Sequence, residues 1–138
     1  TPTVQGATGG ASTFWEQEKG TDEVTAAGAT TAIAAHVESG DYDISDQGLE
    51  GSGEFMMRIS RIIPDFGAQT GDAQVTLSTK QYPTDTATAN DYTSTTSTTK
   101  LDTRVRARQI ALKIANTGTG ETWRMGTFRL DIHAGGRR

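Results

Sequence analysis

Residues 103–115 read TRVRARQIALKIA, and their alternation decides the fold. Val105 and Ala107 fall on odd positions, whereas Ile110, Leu112 and Ile114 fall on even ones. Each half carries the period-two signature of a strand with one buried face. The apolar set changes parity at Arg108-Gln109, which is what one extra residue in a bulge produces. An amphipathic helix is the competing reading, but the apolar positions do not follow i, i+3, i+4. Residues 122–132 repeat the pattern: Trp123 and Met125 are odd, then Phe128, Leu130 and Ile132 are even. Gly126 stands at that break, and a glycine inside a strand marks a bulge. Residues 116–120 (NTGTG) form a turn between the two segments, which are therefore expected to pair as a hairpin.

Further strands follow outward from this pair. Residues 73–80 alternate cleanly, with Ala73, Val75, Leu77 and Thr79 on one face. Residues 54–63 place Phe55, Met57 and Ile59 on one face, and Pro64 ends the segment by removing a donor and fixing its φ. Residues 31–37 alternate through Ile33, Ala35 and Val37. Tyr42 and Ile44 resume an apolar face opposite Asp41 and Asp43. Residues 92–100 (YTSTTSTTK) are polar on both faces and read as an exposed edge strand or an extended loop. Residues 17–30, 45–53 and 81–92 read as loops. Such a series predicts an all-β fold, an antiparallel, jelly-roll-like β-sandwich of about seven to eight strands with long Thr/Gly-rich loops. Residues 1–12 (TPTVQGATGGAS) predict a flexible arm or linker, and residues 13–138 a single domain.

Composition agrees. The 138 residues include 24 Thr and 16 Gly, and β-branched Thr suits pleated, half-exposed surfaces. The length fits one domain able to bury roughly two-thirds of its unfolded surface without a staple. With no cysteine, disulfide frameworks, Cys-ligated zinc, iron–sulfur clusters and thiol catalysis are excluded. No apolar run approaches the ~20 residues of a membrane helix. The first thirty residues lack the basic start and apolar core of a signal peptide. The sequence opens at Thr1 without an initiator Met, which reads as a fragment or a processed product. Charge is split: residues 1–99 carry 14 acidic and 4 basic side chains, and residues 100–138 carry 3 acidic and 9 basic ones.

Catalytic spacings are missing from the sequence. There is no phosphate-cradling loop ending in Lys-Ser/Thr and no nucleophile elbow. His36 and His133 are far apart in sequence and read as strand-face residues. Asp41, Asp43 and Asp46, with Glu50 nearby, are the calcium candidates, since alternate carboxylates can supply oxygens to a hard cation. Their spacing fits an EF-hand poorly, and Asp41 and Asp43 also read as the solvent face of a strand. No other metal and no cofactor is expected. Arg104, Arg106 and Arg108 share one strand face, with Arg124 and Arg129 as neighbours in space. Three like charges in a row need partners, either phosphates or carboxylates, and on an acidic chain pairing with carboxylates of this domain or of another subunit is the simpler account. Trp15 and Trp123 read as core or interface anchors.

Residues 102–138 add a resemblance. DTRVRARQIALKIAN, a Gly-rich turn, WRMGTFRLDI and a terminal GRR resemble the C-terminal end of tail hub or nozzle proteins of short-tailed bacteriophages. The upstream stretches TAIAAHVESGDYDI and ISRIIPDFGAQTGDAQVTLSTKQYP are similar to the same family, so the likeness spans residues 13–138. It implies a non-enzymatic virion structural protein, located in the tail or the head–tail neck and lacking a catalytic site. It also implies a ring of copies contacting neighbouring tail and neck proteins. Relatives of that kind carry a larger β-rich N-terminal region, which these 138 residues do not include.

The interface candidates are thus Arg104, Arg106, Arg108, Trp123, Arg124, Arg137 and Arg138. Neither a membrane nor nucleic acid is an expected partner, since few aromatics are interleaved with the arginines for base stacking. The alternative reading is a carbohydrate-binding β-sandwich or adhesin module, with a host surface glycan as ligand and calcium at the Asp41–Asp43–Asp46 cluster. A polysaccharide hydrolase using two carboxylates is a weaker fit, because nothing selects a pair.

Overall fold

The computed structural model describes residues 3–7, 10–14, 20–25, 27–44 and 55–137. Among them the chain is all-β with no helix, and every strand pairing is antiparallel. In chain order the strands are β1 (Thr3–Ala7), β2 (Gly10–Phe14), β3 (Asp22–Val24), β4 (Thr30–Ala32) and β5 (His36–Glu38). There follow β6 (Phe55–Ile63), β7 (Phe66–Thr70), β8 (Ala73–Lys80) and β9 (Thr88–Ser94). The last four are β10 (Leu101–Ala107), β11 (Gln109–Ala115), β12 (Thr122–Met125) and β13 (Arg129–Arg137).

Two sheets share the core. One has the order β10-β6-β13 and the other β5-β11-β8-β9. Met57, Ile59 and Ile62 from β6 join Val105 and Ala107 from β10 on one side. Ala73, Val75 and Leu77 from β8 join Ile110 and Ile114 from β11 on the other. All ten are buried in a single cluster, the arrangement of a sandwich whose inner faces interdigitate. Strand β8 has the expected boundaries, and its alternation places Val75 and Leu77 at zero exposure.

The parity change at Arg108 has a different cause from the expected bulge. Strand β10 pairs with β6, whereas β11 pairs with β8 and β5, so the chain changes sheets at Arg108. Ala107 and Ile110 both reach the core, one from each sheet. The Arg108 amide donates to the Lys80 carbonyl at 3.2 Å and fixes the crossing. Irregularities of register do occur, but in β10 between Asp102 and Val105, and in the ladder of β6 with β13. Opposite the adjacent pair Asp131–Ile132, β6 spends the extra residue Ser60 between Arg61 and Ile59. That residue shifts the buried positions of β6 from Met57 and Ile59 to Ile62.

Residues 122–132 likewise form two strands in different sheets. Strand β12 pairs with β7, and β13 pairs with β6. The expected hairpin of β11 with β12 is therefore replaced by two long bent strands, β6–β7 and β12–β13, that kink at the same level. Pro64-Asp65 bends one and residues 126–128 bend the other. The two kinks are tied together: the Gly126 amide donates to the Asp65 carbonyl at 2.7 Å, and the Thr127 amide to Asp65 Oδ2 at 3.2 Å. Phe66 packs edge-on against Phe128 at 5.2 Å and tilted against Trp123 at 6.4 Å, extending the core past the kink.

The strand count, thirteen among the described residues, exceeds the expected seven or eight because of these divisions and because short pairs form in polar sequence. The stretch expected to be an arm carries the β1–β2 hairpin, and the loop expected at 17–30 carries β3, which pairs with β4. Residues 31–37 divide between β4 and β5, and Ile33 and Val37 are exposed rather than buried. The polar stretch 92–100 resolves into the end of edge strand β9 and a turn in which Thr98 N donates to the Thr95 carbonyl at 3.1 Å.

Gly126 is required by proximity. A Cβ there would lie 2.9 Å from Asp65 Oδ2 and 3.0 Å from its carbonyl oxygen, whereas a Cβ at Gly40 would meet nothing within 4 Å. Gly126→Ala is expected to destabilise the fold by about 1–3 kcal/mol. Gly40→Ala is expected to stay within about 0.5 kcal/mol of wild type. Urea titrations of the two variants side by side check this.

Candidate interface: an arginine face and its groove

Strand β10 alternates strictly. Thr103, Val105 and Ala107 face the core, and Asp102, Arg104 and Arg106 face out. Buried Thr103 is satisfied by donating its hydroxyl to the Ile59 carbonyl at 2.8 Å. Because β6 lies between β10 and β13, the register builds cross-strand rows on the outer face. One row is Asp102, Arg61 and Asp131. Arg61 Nε lies 3.9 Å from Asp102 and 3.5 Å from Asp131, and Lys100 adds a contact of 3.2 Å to Asp102. Those charges compensate one another.

The next row is Arg106, Arg58 and His133. Here two guanidinium groups sit on directly opposed positions, which costs roughly 0.2–1 kcal/mol in a sheet. Arg106 reaches over β6 and donates from Nη2 to the Gly135 carbonyl at 3.2 Å. The His133 Nε2 is 3.4 Å from Ser60 Oγ. Neither Arg58 nor Arg104 has a carboxylate within ion-pair distance among the described residues. The face therefore carries cationic charge that this part of the fold does not neutralise.

Arg108 leaves that face at the sheet crossing. Its guanidinium lies over the Tyr82 ring, 5.5 Å from the centroid. Arg106, Arg108, Tyr82, Gln81 and Met56 line an open groove of about 540 Å³. Tyr82 is 58% exposed and is held by a tight turn. Its amide donates to Asp85 Oδ2 at 2.9 Å, and the Asp85 amide donates back to the Tyr82 carbonyl at 3.0 Å. Pro83 presets the backbone at the second position of that turn.

The other candidates scatter. Trp123 is half-buried against Phe66, and its Nε1 is buried without a hydrogen-bond partner among the described residues. Arg124 projects over Gly67 on the β7–β12 ribbon, where a Cβ on Gly67 would lie 3.2 Å from its Nε. Arg129 pairs with Ile63, five positions along β6 from Arg58. Arg137 ends β13 opposite Phe55. Arg138, Trp15, Asp46 and Glu50 lie outside the described residues. Asp41 is held by Lys80 at 2.6 Å, and Asp43 is half-buried beside Tyr42. The described residues bring no three metal-ligating side chains together. Sequence reasoning missed Arg58, Tyr82 and the neighbourhood of His133. Only the cross-strand register unites Arg58 and His133 with Arg106, and Tyr82 read as a loop residue.

The opposite end of the sheet is acidic. Glu121 Oε2 accepts from the Gly118 amide at 2.6 Å and the Thr117 amide at 2.7 Å. These bonds hold its carboxyl below the usual carboxylate range. The Asp22 carboxylate accepts the Gly120 amide at 2.8 Å.

No protein-family model matches the chain, and comparison with curated proteins gives no significant match.

Because Glu121 has a lowered folded-state pKa, its contribution is present above the ordinary Glu value and is lost as pH falls through the folded one. Glu121→Gln is expected to destabilise the chain at pH 7 by about 1 kcal/mol. The deficit should shrink below about pH 4.3, where the acid also becomes neutral. Thermal melts of both proteins from pH 7 to pH 3 check this.

Proposed function

We propose that this chain is a non-enzymatic structural module of a phage virion, working in the tail nozzle or hub or in the head–tail neck. In this reading it assembles with copies of itself and with neighbouring tail proteins. The observation that carries the assembly reading is the row Arg106–Arg58 together with Arg104: exposed cations, two of them directly opposed, on a chain of net charge −4. Such a face is unfavourable in isolation and favourable once carboxylates cover it. The surplus of acidic side chains in residues 1–99 supplies those carboxylates on a second copy. Charge complementarity of this kind sets register and orientation between subunits. The virion assignment is supported by the resemblance of residues 102–138.

Two measurements test the reading. Sedimentation velocity should show an oligomer that dissociates as salt rises. Arg58→Glu and Arg104→Glu should each raise the dissociation constant about tenfold, or about 1.4 kcal/mol. Arg58→Glu should at the same time stabilise the isolated chain by roughly 0.2–1 kcal/mol, because it replaces a like pair by an opposite one. A chain monomeric at millimolar concentration overturns the assembly reading. Mass spectrometry of purified particles should find the tryptic peptide IIPDFGAQTGDAQVTLSTK (residues 62–80), and its absence from virions overturns the assignment.

A further inference from the structure

We propose that copies of the chain join head to tail, with the Arg106–Arg108–Tyr82 groove of one copy receiving the carboxylates at the opposite end of the next. The proposal rests on the self-assembly reading and names the surfaces that meet.

The sandwich has two chemically different ends. Strands β8 and β11 pair over seven residues, from Gln109 opposite Lys80 to Ala115 opposite Gln74. The groove lies beyond the first end, since Gln81 and Tyr82 follow Lys80 and Arg108 precedes Gln109. Beyond the other end lie Asp72, which precedes β8, and the turn at residues 116–121, which follows β11. Asp22 is bound to that turn through the Gly120 amide, which brings Glu23 to the same end. Glu121 lies against Gly71, where a Cβ would be 2.9 Å from its Cγ. Asp22, Glu23, Asp72 and Glu121 thus lie at this one end, and none of them forms an ion pair among the described residues. Segments 20–24, 71–72 and 116–122 contain no Lys or Arg.

The groove is built as a docking site. Tyr, Arg and Met are the residue types enriched in interface cores, and Tyr and Arg dominate their energetics. The Tyr82 backbone is fixed by its reciprocal turn bonds with Asp85, and the Arg108 guanidinium rests over its ring, which lowers the freedom lost on association. Two arginines line one open volume, a lining that fits carboxylates rather than an apolar partner. The net negative charge and the single aromatic in the groove favour a second copy over nucleic acid. Because the two surfaces differ and lie at opposite ends, the contact is heterologous, and repetition yields a ring or a filament.

Two double variants test the pairing: Tyr82→Ala/Arg106→Glu, which disables the groove, and Glu23→Lys/Asp72→Lys, which disables the acidic end. Circular dichroism establishes that each is folded, and Arg108→Glu alone replaces the first variant if it is not. Analytical ultracentrifugation should show each variant monomeric alone. Their equimolar mixture should form a one-to-one dimer that grows no further, because only one intact groove and one intact acidic end meet. Variants that assemble like wild type, or a mixture that stays monomeric, overturn the head-to-tail pairing while salt-sensitive assembly of the wild type keeps the broader reading. A monomeric wild type overturns both. Binding of a labelled oligonucleotide that is lost with Arg106→Glu, in a wild type that does not assemble, overturns the proposal in favour of nucleic acid.

Discussion

Ala107 and Ile110 are both fully buried, three residues apart, on strands of different sheets. A regular strand without an extra residue cannot do this, because its side chains alternate with period two. The chain satisfies both by leaving one sheet and entering the other at Arg108, so the apolar faces of β10 and β11 meet across the core. This crossing also sets the surface. A guanidinium at the crossing cannot enter the core without a large desolvation cost. Arg108 is therefore directed to the rim, where the turn after β8 presents Tyr82. The groove is a by-product of closing the sandwich, and its residues come from the ends of β6, β8 and β10 for that reason.

The charges on the three-stranded sheet divide into two regimes. Where Arg61 stands between Asp102 and Asp131, opposite charges alternate across the strands. Exposed pairs of this kind contribute little each, about 0–1 kcal/mol, but they impose no repulsion. One step along β6 toward Phe55, Arg58 stands between Arg106 and His133, and the alternation fails. The Arg106 guanidinium finds a backbone carbonyl on β13 instead of a carboxylate. A sequence optimised for the isolated domain would place an acid at position 58. Retaining a cation there sacrifices a fraction of a kcal/mol of stability, the kind of local cost that surfaces used for binding tolerate.

Much of the core was legible in the sequence. Strand β8 has an uninterrupted alternation that buries Ala73, Val75 and Leu77, although Thr76 on its other face is buried as well and Thr79 only in part. Val105 and Ala107 face inward, and Arg104 and Arg106 outward, as their parity demands. The all-β architecture follows from such segments. The partners of each strand were not legible, because alternation says which face is buried and nothing about which neighbour supplies the ladder. The same ambiguity misplaced the irregularity: a parity change is produced equally by an extra residue and by a change of sheet. In residues 103–115 the cause is a change of sheet, while in β6 Ser60 is extra and the parity shift from Ile59 to Ile62 is a bulge. Ile33 and Val37 alternate as well as any core strand yet are 47% and 44% exposed, since β4 and β5 belong to different sheets and neither residue joins the core.

The candidate interface was legible only in part, for a related reason. Arg104 and Arg106 are neighbours in sequence, so their spacing reveals a shared face. Arg58 and His133 are 75 residues apart and meet only because β6 separates β10 from β13. Tyr82 follows a strand whose end is defined by its pairing with Gln109. What the sequence does show is the division of charge between residues 1–99 and residues 100–138. Folding converts that linear asymmetry into a spatial one. Antiparallel pairing of β8 with β11 sends the segments that follow Lys80 and precede Gln109 to one end, and those that precede Ala73 and follow Ala115 to the other. The first pair brings Arg108 to Tyr82, and the second brings Asp72 to Glu121. A contact between such ends has a polarity that a uniform face lacks. In the proposed head-to-tail contact that polarity would align copies in one direction and disfavour the reversed one through like-charge repulsion, with orientation set by charge and affinity by the aromatic anchor.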